Sequence, residues 1–96
     1  MTARRPLRPA ETVVLHHAMD DDAGTNQQPI LTWSAVHFEG VRVALVRCDD
    51  QACLGHLVGP ESVTGHKIDA QGKVTPSIGC SDCGWHVFAT LEDWQP

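Results

Sequence analysis

The segment Gly79-Cys80-Ser81-Asp82-Cys83-Gly84-Trp85-His86 sets two cysteines three positions apart, with a glycine directly after the second. That spacing lets two sulfurs face one point while backbone amides turn toward them. Gly84 tolerates the left-handed backbone that closes such a turn. A second segment, Arg47-Cys48-Asp49-Asp50-Gln51-Ala52-Cys53-Leu54-Gly55-His56, carries the other pair. All four cysteines of the chain fall in these two turns, with twenty-six residues between them, which is room for an antiparallel excursion that returns. Zinc takes four borderline or soft ligands at tetrahedral angles. Cys48, Cys53, Cys80 and Cys83 are therefore expected to hold one Zn2+ as a structural staple.

His56 and His86 each stand three residues after a cysteine and are the substitutes for a thiolate, above all for Cys48, whose spacer is the looser one. Disulfides or buried free thiols are the alternative fates of the cysteines. A thioredoxin-like redox pair needs a first cysteine at a helix N-terminus, and the β-prone flank of Cys80 does not offer one. His16, His17, His37 and His66 read as solvated or hydrogen-bonded structural residues.

Outward from the turns, the chain reads as strands. Ile30 to Phe38 and Val41 to Arg47 flank Glu39-Gly40, and Val41, Val43 and Leu45 alternate with Arg42, Ala44 and Val46. A period of two predicts a hairpin whose strand has one buried face. A second hairpin is expected from His66–Asp69 and Lys73–Thr75, ending at Pro76, which cannot donate to a ladder. Thr12–His17 and Trp85–Leu91 are further β-prone runs. Asp20 to Pro29 is rich in turn formers and reads as a loop. Its acidic triplet lacks the alternating spacing of a calcium-binding EF-hand loop. The expected fold is all-β, or a β-rich small α+β variant: zinc-ribbon-like antiparallel hairpins stapled by one zinc. Residues 1–11 read as a flexible basic arm, and residues 12–96 as a single domain.

Ninety-six residues make a small domain with a thin stability margin, for which a metal staple is a common remedy. The net charge is −5: residues 1–11 carry three arginines and one glutamate (+2), and the rest carries four basic and eleven acidic side chains (−7). An acidic body repels phosphate backbones, which makes nucleic acid an unlikely partner. No apolar run is long enough to span a bilayer. The basic N-terminus lacks the apolar stretch of a secretory signal, so a chain that is not secreted, with reduced thiols, is expected.

Two catalytic readings compete with a staple. His37-Phe38-Glu39 followed by Cys80-x-x-Cys83 imitates the zinc-deaminase signature. Against it, Ile78-Gly79 replace the proline before the cysteines, and Cys48 and Cys53 would have no task. Ser77 lacks the strand-turn-helix setting of a serine hydrolase. A zinc-dependent hydrolase or deaminase is therefore a remote alternative, and no enzymatic activity is expected.

Lys73-Val74-Thr75-Pro76-Ser77-Ile78, then Cys80-Ser81-Asp82-Cys83-Gly84-Trp85-His86-Val87-Phe88 and a closing Trp94, resembles a group of uncharacterised small phage and bacterial zinc-ribbon-like proteins. The resemblance covers roughly residues 45–94. The chain departs from it in a longer first Cys spacing and in Ala89-Thr90-Leu91-Glu92, where a glycine turn is usual. The resemblance implies a viral or mobile-element setting: a virion component or an accessory factor, in a bacterial host's cytoplasm or within a virion. The partner would be a virion subunit or a host protein, and homo-oligomers are compatible. The alternative is a zinc-ribbon regulator associated with nucleic acid.

Overall fold

The computed structural model describes residues 6–19, 27–50, 53 and 55–95. Eight strands and one helical turn follow in the order β1 (Glu11–His17), β2 (Thr32–Phe38), β3 (Val41–Val46), β4 (His56–Val58), α1 (Glu61–Thr64), β5 (Lys67–Ile68), β6 (Val74–Thr75), β7 (Ile78–Gly79) and β8 (His86–Leu91). The all-β expectation holds. Six strands form one sheet in the order β4-β3-β2-β1-β8-β7, and β5 pairs with β6 separately.

The β2–β3 hairpin forms where alternation and turn chemistry place it, from Trp33↔Val46 to Phe38↔Val41. Its turn residues Glu39 and Gly40 both take positive φ, 52° and 79°, the backbone whose twist matches two-residue hairpins. One buried face was expected for β3, and both are buried. Ala44 and Val46 point into the main core, while Val43 and Leu45, on the opposite face, are buried as well. The cause is a second cover: the backbone at Gly55 crosses so close to Leu45 that a Cβ there would lie 3.2 Å from Leu45 Cδ1.

The strand β1 runs parallel to both of its neighbours, with His16↔Thr32 on one side and Glu11↔Val87 through Leu15↔Leu91 on the other. Beyond β8, the two-residue β7 adds Ile78↔Val87 and Gly79↔His86. The expected second hairpin is present as β5–β6, and β6 stops at Thr75 before Pro76. Lys73 also bridges to Thr90, so segment 73–79 follows β8 with an interruption at Pro76. The turn formers at residues 20–26 lie outside the described residues, as do residues 1–5. Residues 6–11 are placed in contact with the domain: Arg8 N donates to Gly84 O at 2.7 Å, and Leu7 lies over the Gly79 backbone.

Trp33 centres the core. It is fully buried, its Nε1 donates to Glu92 O at 2.8 Å, His17 stacks on it at 4.1 Å and Trp94 meets it edge-on at 5.4 Å. Leu15, Val58, Val74, Ile78, Val87 and Leu91 pack into the same cluster. Truncating a buried tryptophan removes both transfer energy and packing. Trp33→Ala is expected to cost about 3–5 kcal/mol, read as a lower midpoint in urea unfolding.

Candidate metal centre

Both cysteine turns are hairpin connections. Cys48 and Cys53 lie between β3 and β4, and Cys80 and Cys83 between β7 and β8, at opposite ends of the strand order. Because β8 and β2 both run parallel to β1, and β3 runs antiparallel to β2, the end of β3 and the start of β8 fall on the same side of the sheet. Curling of the sheet then brings the two turns together.

The second turn is the tighter one. Cys80 N donates to Trp85 O and Gly84 N to Cys80 O, both at 2.7 Å, and Gly84 takes φ 83°. In the first turn Cys53 N donates to Asp50 O at 3.0 Å, and the Cys48 thiol lies 3.6 Å from the same carbonyl. The four Sγ atoms lie within 4.8 Å of one another, with Cys48 and Cys83 at 3.6 Å and Cys53 and Cys80 at 3.8 Å. A disulfide needs about 2.05 Å, and all four thiols are free. A tetrahedral ion bound at about 2.3 Å needs sulfurs roughly 3.8 Å apart. The cluster can thus hold a metal ion with little movement, and it is the one such group among the described residues.

Burial shapes the thiols. Cys48 and Cys80 are fully buried and Cys53 nearly so, while Cys83 is partly exposed. Burial pushes the Cys48 thiol up to about 11 and raises Cys53 further. Burial also acts upward on Cys83, but the amide of Trp85 and hydrogen bonds with Cys80, Cys48 and Cys53 together outweigh it and lower that thiol. A cation is what makes such a nest of sulfurs stable as thiolates.

Neither substitute histidine joins the four sulfurs. His86 uses both ring nitrogens elsewhere: Nε2 lies 2.7 Å from Ser77 Oγ, and Nδ1 lies 3.0 Å from Arg8 O. It fastens residues 6–10 to the sheet, helped by the Arg8–Asp49 ion pair at 2.8 Å, which links that segment to the first Cys turn. An open cavity of about 220 Å³ lies beside this junction, bounded by Arg8, Glu11, Asp49, Trp85 and His86. His56 has a buried Nε2 with no hydrogen-bond partner among the described residues. Burial holds its pKa below the ordinary value, His66 adds to that, and Asp82 opposes it. His66 faces Ser77 O at 3.3 Å, His16 pairs with Glu92, and His37 is exposed.

The deaminase-like His37-Phe38-Glu39 sits at the far end of the β2–β3 hairpin, the six-residue length of β3 away from Cys48. At about 3.3 Å per residue, Glu39 is too distant to exchange protons at the sulfur cluster. Sequence reasoning missed a buried polar contact beside the first turn. Arg47 is 4% exposed and its Nη1 donates to Gln28 O at 3.0 Å, while Gln28 Nε2 donates to Leu45 O at 3.0 Å. The one available signal was an arginine directly preceding a cysteine turn.

Comparison with protein-family models, curated proteins and solved structures finds no match for the chain.

His56→Asn and His86→Gln are expected to keep the metal stoichiometry of the parent, whereas Cys80→Ser and Cys83→Ser lose it, as read by elemental analysis. Metal binding should also release protons. Because thiols near pH 7 are protonated without a cation, calorimetry in buffers of different ionisation enthalpy should show release of about three to four protons per ion, with affinity falling as pH falls.

Proposed function

We propose that this chain is a non-enzymatic domain in which one Zn2+, bound by Cys48, Cys53, Cys80 and Cys83, fixes the fold, and whose surface contacts another protein. The observation that carries this reading is the convergence of four mutually close thiols from two hairpin tips. Four thiolates fill a tetrahedron and leave no position for water or substrate, so the ion acts as a staple and not as a Lewis acid. A mononuclear ion fits better than an iron–sulfur cluster, because a second metal would drive the two thiolate pairs apart.

A protein partner suits the outer face of the sheet. Val14 and Phe88 are 55% and 49% exposed on adjacent strands, where Thr12↔Phe88 and Val14↔Thr90 put both on one face. The net charge of −5 disfavours a nucleic-acid partner. Among the described residues no helix is long and apolar enough to cross a membrane. On the resemblance of residues 45–94 to small phage and bacterial zinc-ribbon-like proteins, the partner proposed is a virion subunit or a host protein.

Protein purified in reducing buffer is expected to carry about one zinc per chain. Removing it with a strong chelator should unfold the domain, since binding energy on the order of 10 kcal/mol is then folding energy. Circular dichroism with and without chelator measures this, and a metal-free chain that stays folded overturns the staple. A gel-shift assay at low salt should show no DNA or RNA complex. A complex there that fades steeply with added salt would establish the regulator reading instead.

A further inference from the structure

We propose that the four-thiol centre is also an oxidation site: a two-electron oxidant of the peroxide class converts it into two disulfides, Cys48–Cys83 and Cys53–Cys80, which cross between the hairpins and replace the metal as tether. The expected metal release rests on the zinc reading, whereas the disulfide pairing does not.

The geometry selects both the order and the pairing. Cys83 is the one residue of the four that keeps part of its surface exposed, and the proposal has the oxidant meet it first. Its thiolate attacks one peroxide oxygen, the O–O bond breaks, and Cys83 becomes a sulfenic acid with loss of hydroxide. The Cys48 sulfur stands 3.6 Å away on the other hairpin. It attacks the sulfenic sulfur, a second hydroxide leaves, and the Cys48–Cys83 bond forms. Two thiolates have lost two electrons and one peroxide has been reduced. Two remaining sulfurs cannot hold the ion, which departs. Cys53 and Cys80, 3.8 Å apart, then consume a second peroxide in the same way. Each pair must close by ~1.5–2 Å to reach bonding distance.

The competing pairing, Cys48–Cys53 with Cys80–Cys83, closes loops of five and three residues. The crossing pairs span 35 and 27 residues, and long loops restrict the unfolded chain far more than short ones. The crossing pairs also keep Cys48 and Cys80 inside the core cluster they already occupy. Oxidation by this route exchanges one cross-hairpin tether for another, so the domain keeps its fold while releasing its ion.

The test uses the whole zinc-loaded chain titrated with hydrogen peroxide, with a chromogenic zinc reporter in solution and peptide mapping under non-reducing conditions. The expected result is loss of one zinc per chain, Cys48–Cys83 and Cys53–Cys80 peptides, and an unchanged β-sheet circular dichroism spectrum. Dithiothreitol with added zinc should restore the starting state. Pairing within the turns, disulfides between chains, or Cys83 accumulating as sulfinic acid would overturn the proposal. If the starting protein carries no zinc, the staple reading fails by itself, and the same peptide map still decides the pairing.

Discussion

A strand order of β4-β3-β2-β1-β8-β7 puts the two cysteine-bearing hairpins as far apart as the sheet allows, and yet their sulfurs lie within 4.8 Å of one another. That closure is the constraint on which the rest of the structure depends. A flat sheet cannot satisfy it; a strongly twisted and curled one can, and curling encloses a core lined by both hairpins. Cys48, Cys53 and Cys80 belong to that core cluster together with Trp33, Ile78, Trp85 and Leu91. The thiols are thus part of the apolar interior as well as a ligand set, which is why their burial raises the cost of ionising Cys48 and Cys53.

Other contacts reinforce the same closure. Arg8 pairs with Asp49 of the first turn and its amide donates to Gly84 of the second, so one residue of the N-terminal segment touches both cysteine turns. His86 locks the same segment from the sheet side. Exposed ion pairs contribute little by themselves. Arg8 acts more through placement, by laying a short covering strip beside a site that a small domain could not otherwise shield.

The sequence made some of this legible and hid the rest for identifiable reasons. The β2–β3 hairpin was readable because alternation and Glu39-Gly40 agreed, and the sulfur cluster because its members come in two close pairs. The pairing of β1 was not readable: a strand carries no local record of its partners, and a parallel pairing leaves no turn signal. At three and two residues, β4 and β7 are too short for any periodicity to show. The double burial of β3 was not readable, because alternation along a strand points to one buried face only. The crossing of the chain at Gly55 covers Leu45 on the second face. Gln28 lies in a polar stretch, where burial has no signature.

The position of β1 has a consequence for synthesis on the ribosome. It is the first described strand to emerge, and its longest partnership is with β8, the last described strand to be made. The second cysteine turn also emerges late. Until then the early strands lack both the β1–β8 ladder and half of the sulfur cluster. Closure must therefore wait until β8 has been made, whereas the β2–β3, β3–β4 and β5–β6 pairs are complete before it. A domain wired in this way is born with a long unpaired interval, during which exposed strand edges and reduced thiols depend on the cell for protection.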